Sequence, residues 1–301
     1  MHGVLPLDKP PGATSNEVLQ QVKRLFNARK AGHTGSLDKL ASGLLPLCFG
    51  EATKFSGYLL DADKRYSATC RLGIQTTTGD VAGEIVRECP VPELDATALN
   101  RILDAFRGDI EQVPPMFSAL KHKGQRLYEL AYQGIEVERK PRPVHIYELE
   151  LLRYEGSEFD IRVTCSKGTY IRTLAEDIGA RVGCGAHVQS LRRTGVGQLR
   201  EEEMIPLPRV LEASAKGMAA LDGLLIGVDT ILRDVPQVVL QDNVAYYLLQ
   251  GQPVIVPRAP TAGRVRIYHE SGAFLGAGEV LDDGRIAPRR LYAPGNGLAP
   301  G

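Results

Sequence analysis

The spacing of apolar residues changes along this 301-residue chain, and that change limits the fold more than any other feature. Up to about residue 230, helical and strand-like signals alternate. "SNEVLQQVKRLF" puts Val18, Val22, Leu25 and Phe26 on one helical stripe behind Ser15, the expected N-cap. "RYSATCRLG" reads as a strand, and "TALNRILDAFRG" as a helix with Leu99, Ile102, Leu103 and Phe106 inward and Gly108 past its end. "VHIYELELLRYE" and "EFDIRVTCS" alternate on either side of the turn-prone "GS", which predicts a hairpin. "TYIRTLAEDIGARVG" predicts a helix with Ile171, Leu174, Ile178 and Val182 on its apolar side. The sum is a mixed α/β or α+β body. Beyond residue 230 the runs shorten, and "GRVRIYHESGAFLGAGEVLDDGRIAPRRLY" reads as hairpins broken at "ESGA" and "DDG". The expected division is a body over 1–230 and a small β-rich module over 231–301, ending in a loose tail, "APGNGLAPG".

An apolar fraction of 43% fills the core of such a body. Stretches such as "GLLPLCFG" are too short to span a bilayer and no signal-peptide pattern opens the chain, so no membrane association and a cytoplasmic location are expected. Cys48, Cys70, Cys89, Cys165 and Cys184 form no CxxC pair and are odd in number, which predicts reduced core residues rather than a disulfide framework or a zinc site. HExxH, GxGxxG and P-loop patterns are also absent.

Net charge is zero, but the charges are unevenly spread. From Arg162 to Arg200 the basic residues Arg162, Lys167, Arg172, Arg181, Arg192, Arg193 and Arg200 meet only Glu176 and Asp177; residues 201–242 are mostly acidic. Such segregation either makes a basic face that attracts phosphates or reflects chance clustering. The segment from Pro114 to Val144 interleaves Lys121, Lys123, Arg126, Arg139, Lys140 and Arg142 with Tyr128 and Tyr132. It reads as a projecting element that grips RNA, or as a solvated helix with core tyrosines.

In "GHTGSLDKLASG", residues 32–43, the glycines permit unusual backbone angles and let Asp38 approach a ligand closely. A carboxylate beside a glycosidic carbon stabilises a developing oxocarbenium charge, or attacks it to form a covalent intermediate. The alternative is structural: Asp38 caps a helix starting at Lys39, with His33 and Ser36 bonding the turn. Spacing alone does not separate the two.

With its flanks, "GHTGSLDKLASGLLPLCFGEATK" resembles the catalytic motif of the TruB family of tRNA pseudouridine synthases, a "GHxGxLDPxAxGxLP" pattern with an essential aspartate. "LPLDKPPGATSNEV" is similar to the family's "DKPxGxTS" motif, and "KRYSATCRLGIQTTTGDVAGEI" to its "KxYxAxxxLGxxTxTxDxxG" motif. "QVPPMFSALKHKGQRLYELAYQGIEVERKPRPVHI" resembles its thumb-like insertion, and "CSKGTYIRTLAEDIG" and "AHVQSLRRTGVG" match two further blocks in order. The resemblance spans roughly residues 3–230, and the remainder is similar to the PUA domain, a small RNA-binding β-barrel.

This resemblance implies a mixed β-sheet with flanking helices, a thumb over about 114–144 and a PUA-like module over 231–301. It implies a monomer that needs no metal, cofactor or protein partner and converts uridine 55 in the T-arm loop of tRNA to pseudouridine. Asp38 is then the nucleophile or electrostatic catalyst at C1′, Arg172 its ion-pair partner and Tyr66 the ring against the uracil. Tyr170 is expected beside the base, Leu191 beneath it and His33 against displaced nucleotides, with further RNA contacts from Lys9, Lys121, Lys123 and Arg126. Without the resemblance, Tyr66 and Leu191 read as core, Arg172 as a solvated helix residue and His33 as a turn stabiliser. The chain departs from the family at Lys39, where proline is common, at Ser36 and Ser42, where threonine is, and at Thr77, where aspartate is. Other readings are a relative working inside a guide-RNA particle and a chaperone that unfolds the tRNA elbow without catalysis. A glycoside hydrolase lacks an assignable second carboxylate.

Overall fold

Ten strands of the chain join in one mixed sheet in the computed structural model, which describes residues 1–293. The expected loose tail falls almost wholly outside the described residues. Along the main path the order is Ile205–Pro206, Gly3–Lys9, Ser42–Phe49, Ala186–Val196, Lys64–Leu72, Glu158–Cys165, Arg142–Glu155 and Gly108–Gln112. The short strands Ala31–His33 and Leu199–Arg200 pair with Ser42–Phe49 and Ala186–Val196. Three segments distant in the chain thus meet at the centre, and Gly43, Arg193 and Tyr66 fall in register across them.

Ser42–Phe49 is an almost unbroken apolar run because both of its faces are covered. Leu45, Leu47 and Phe49 enter one core with Leu5, Leu7 and the helix residues Val18, Val22 and Phe26. Leu44 and Cys48 enter a second with Val4, Phe55, Leu59, Ile231 and Leu232. The helices Ser15–Leu25, Ala96–Asp104 and Ile171–Val182 contribute their apolar stripes to the first core, as the sequence periodicity predicts. Cys48, Cys70, Cys165 and Cys184 are buried, and all five cysteines are free thiols.

One expectation needs correcting. Thr14, not Ser15, caps the first helix: its Oγ1 accepts from the Glu17 N–H at 3.2 Å, and the Glu17 carboxylate accepts from the Thr14 N–H at 2.7 Å. That reciprocal pair satisfies two otherwise orphaned donors and frees Ser15 for a different bond. Of the two readings of the basic run, the ion pairs favour the one without a free face. Arg162 pairs with Glu150, Lys167 with Asp61, Arg172 with Asp38, and Arg192 with Asp8 and Glu201, while Arg193 is buried. Strand order supplies those partners.

The segment from Pro114 leaves the sheet after Gly108–Gln112 and forms a miniature hairpin, Lys121–His122 with Gln125–Arg126, and then the helix Leu127–Tyr132. Its turn residues Lys123 and Gly124 both have positive φ, the twist that a two-residue hairpin requires. Leu127 and Leu130 are buried, but Tyr132 is 80% exposed and is no core residue. The C-terminal module pairs Gln237–Leu240, Gly263–His269, Phe274–Val280 and Ile286–Leu291 in that order, and Val254 bridges to Ile286.

Gly43 has φ +99°, and a Cβ there would lie 2.3 Å from the Arg193 carbonyl oxygen. Gly43→Ala is therefore expected to lose about 2–4 kcal/mol, combining left-handed strain with overpacking. Urea unfolding measures the loss, and a variant within about 0.5 kcal/mol of wild type would contradict this register.

Candidate active site

The loop around Asp38 is built from side chains that bond its backbone. The Ser15 hydroxyl accepts from the Leu37 N–H at 2.8 Å and lies 3.2 Å from the Leu37 carbonyl oxygen. The Gly12 N–H donates to the Lys39 carbonyl at 2.7 Å, and the Thr34 N–H to the Pro46 carbonyl at 3.2 Å. No helix starts at Lys39, so Asp38 is not a cap. Lys39 is exposed, and its carbonyl ties the loop to Gly12 where proline is common in the family.

Arg172, in the first turn of Ile171–Val182, grips both carboxylate oxygens of Asp38. Its Nε lies 2.8 Å from Oδ2, and its Nη2 donates to Oδ1 at 3.2 Å. The guanidinium is only 4% exposed, and its remaining donors reach the carbonyls of Thr78 at 2.8 Å and Phe117 at 2.7 Å. Asp38 keeps 39% exposure, so one face of a fixed carboxylate stays open. Burial pushes its pKa above the usual carboxylate value; Arg172 opposes that shift, and Asp80 adds to it. Asp80 lies 3.9 Å from the Arg172 Nε and is itself held by the Thr78 hydroxyl at 2.6 Å and the Ala82 N–H at 3.0 Å.

Tyr66 and Leu191 come from neighbouring central strands and pack on the first core. Burial raises the Tyr66 pKa, and the cationic Arg193 partly offsets the rise. Tyr170 precedes the Arg172 helix, and its backbone is held on both sides by the Gln112 amide: the Tyr170 N–H donates at 2.9 Å, and its carbonyl accepts at 3.2 Å. Burial, aided by Arg193 and Arg126, lowers the His33 pKa, and its buried Nδ1 has no partner among the described residues.

Lys9 is fully buried. Its ammonium donates to the Pro10 carbonyl at 2.9 Å and the Ala13 carbonyl at 2.6 Å, and burial lowers its pKa to about 8. It therefore braces the turn before the first helix from inside rather than facing solvent. Lys121, Lys123 and Arg126 are exposed on the insertion.

Four contributors escape the sequence reading. Asp80 sits inside the quoted "TTTGD" motif, but only folding brings it to Arg172. Gln112 and the Phe117 carbonyl join the insertion's root to the site, and no linear signal marks either. Arg193 is 1% exposed and donates to the carbonyls of Leu44 at 2.7 Å and Gly35 at 3.0 Å, bracing both ends of the Asp38 loop. Among the described residues, the cluster spaced to hold a metal, Asp242, His269 and Glu270, belongs to the C-terminal module.

Comparison with known families matches residues 23–171 to the "TruB family pseudouridylate synthase (N terminal domain)". Residues 172–233 match the "tRNA pseudouridylate synthase B C-terminal domain", and residues 236–292 match "Pseudouridine synthase II TruB, C-terminal". The tRNA pseudouridine synthase B of Coxiella burnetii (strain RSA 331 / Henzerling II) is 56% identical over 290 residues, covering 96% of this chain and 94% of its own. That of Nitrosococcus oceani is 56% identical over 291 residues, covering 97% and 94%. A solved Cbf5-Nop10-Gar1 complex contains a chain that superposes with a TM-score of 0.76 at 26% identity, over 97% of this chain and 85% of that one. Sequence and fold agree: this chain belongs to the TruB family and is a pseudouridine synthase.

Proposed function

We propose that the chain isomerises uridine 55 in the T-arm loop of tRNA, with Asp38 acting at C1′ of the target ribose. The tRNA substrate is supported by the relatives named tRNA pseudouridine synthase B. The observation that carries the mechanism is the two-point grip of Arg172 on Asp38, which aims a carboxylate while leaving one face open.

The target nucleotide leaves its stack first, because no carboxylate reaches a ribose carbon beneath a stacked base. Asp38 then meets C1′ as the C1′–N1 bond breaks, stabilising the cationic sugar or bonding to it. The freed uracil turns, C1′ bonds to C5, the C5 proton leaves and N1 gains one. Substrate and product are isomers, so the overall reaction needs no oxidant and no cofactor.

Tyr66, Tyr170 and Leu191 replace the lost stacking. A phenol raised by burial stays protonated at neutral pH, which suits Tyr66 to packing rather than proton removal. His33, kept neutral by burial, packs against displaced nucleotides. Lys121, Lys123 and Arg126 meet phosphates from the insertion, with Lys9 bracing the turn before the first helix. Residues 1–230 form the catalytic part and 231–301 a PUA-like RNA-binding part of a cytoplasmic monomer that needs no protein partner.

With an unmodified tRNA transcript tritiated at uracil C5, wild type should release tritium even in EDTA, and Asp38→Asn should slow release by roughly 10³-fold or more. Full turnover by the variant, or free uracil as product, would defeat the mechanism. Because burial raises the Asp38 pKa, kcat/KM should fall on the acid side around a value above 3.8.

The same shift has a stability sign. The folded state binds this proton more readily than the unfolded chain, so the Asp38 contribution declines as pH rises from the unfolded to the folded pKa. Asp38→Asn should thus melt at or above wild type at pH 7, with the difference shrinking as pH falls through that window. A variant melting well below wild type at pH 7 would reverse the sign. Lys123→Ala with Arg126→Ala should weaken tRNA binding and flatten the log K against log[salt] slope by about 0.7–0.9 per lost phosphate contact. An unchanged slope would remove the insertion from the binding surface.

A further inference from the structure

The helix Ile171–Val182, which carries Arg172, begins without a side-chain cap. Thr14 and Asp95 cap the helices Ser15–Leu25 and Ala96–Asp104 with their own oxygens, but the N-cap here is Tyr170, whose phenol makes no such bond. An aromatic ring thus stands where a capping oxygen is otherwise preferred.

Gln112 supplies the missing hold from another strand. Its Oε1 accepts from the Tyr170 N–H at 2.9 Å, and its Nε2 donates to the Tyr170 carbonyl at 3.2 Å. The same carbonyl accepts from the Leu174 N–H at 3.0 Å, the bond that opens the helix. One side chain therefore fixes both backbone polar groups of the residue two places before Arg172. Gln112 is 2% exposed, and among the described residues its amide makes no other hydrogen bond. Its own backbone lies opposite Arg142 at the end of the paired strand Gly108–Gln112, so the hold comes from the sheet.

The chemistry of the side chain is specific. A primary amide carries an acceptor and a donor on one planar group, which matches the N–H and C=O of a single residue. An ionised carboxylate of the same length accepts but does not donate, and an apolar side chain does neither. At the other end of Arg172 the guanidinium is held by the Thr78 and Phe117 carbonyls, while its Cα is placed by the start of the helix.

Resting on the reading of Asp38 as the reacting carboxylate, we propose that Gln112 is a positioning residue: by holding Tyr170 at both backbone groups, it sets the start of the helix and with it the grip of Arg172 on Asp38.

The test compares wild type with Gln112→Leu and Gln112→Glu, following single-turnover tritium release from an unmodified tRNA transcript, tRNA affinity and melting temperature between about pH 5.5 and 8.5. Gln112→Leu should slow release by about 10–100-fold at every pH with tRNA affinity within about threefold of wild type, a loss of geometry rather than of binding. Gln112→Glu should be switched by pH. Its protonated carboxyl has a C=O and an O–H and restores both bonds, whereas the ionised form faces the Tyr170 carbonyl without a donor. Its rate relative to wild type should approach one at the acid end and fall toward that of Gln112→Leu as pH rises.

A wild-type rate in Gln112→Leu would overturn the proposal, as would a rate loss explained by weaker tRNA binding. A flat pH ratio in Gln112→Glu, or one that tracks unfolding at the assay temperature, would reduce Gln112 to a packing residue and overturn it too. The Glu variant carries the test on its own if Gln112→Leu does not fold. Failure of the underlying reading shows separately, as full turnover by Asp38→Asn; an inactive Asp38→Asn beside fully active Gln112 variants overturns the Gln112 assignment alone.

Discussion

A carboxylate that must stay ionised while half-buried needs a cation that cannot move away, and the Asp38–Arg172 pair meets that need. Arg172 is anchored by two backbone carbonyls as well as by Asp38, so its position does not depend on the group it orients. Burial works against the charge on Asp38, and the guanidinium works for it. Burial and pairing thus act in opposite directions on the same carboxylate.

Much of the surrounding fold serves that balance. The Asp38 loop is stitched from Ser15 in the first helix, Gly12 in the turn just before it and Arg193 in a central strand much later in the chain. Lys9 and Arg193 are both buried cations whose donors point at loop carbonyls. The insertion is not an independent arm, because its Phe117 carbonyl shares the Arg172 guanidinium with Asp38. The root of the insertion is thereby mechanically connected to the ion pair.

The elements with clean periodicity were legible in the sequence, since the apolar stripe of Ser15–Leu25 and the hairpin of Arg142–Glu155 with Glu158–Cys165 follow from local spacing. The helix cap was misplaced by one residue because Thr14 and Ser15 are both good caps, and the Ser15 hydroxyl is claimed by Leu37, a partner no local pattern shows. The two readings of the basic run stayed open for a related reason: Asp8, Asp61 and Glu150 pair with it from other segments. Asp38 and Arg172 came from motif resemblance, while Asp80, Gln112 and Arg193 act through contacts that exist only after folding.

The titration of Asp38 itself probes the ion pair most directly, followed through its ¹³C carboxyl resonance in wild type and in Arg172→Gln. An ionised carboxylate at pH 7 in wild type, with a pKa displaced further upward once the guanidinium is gone, is the predicted result. Superimposable titration curves for the two proteins would contradict it.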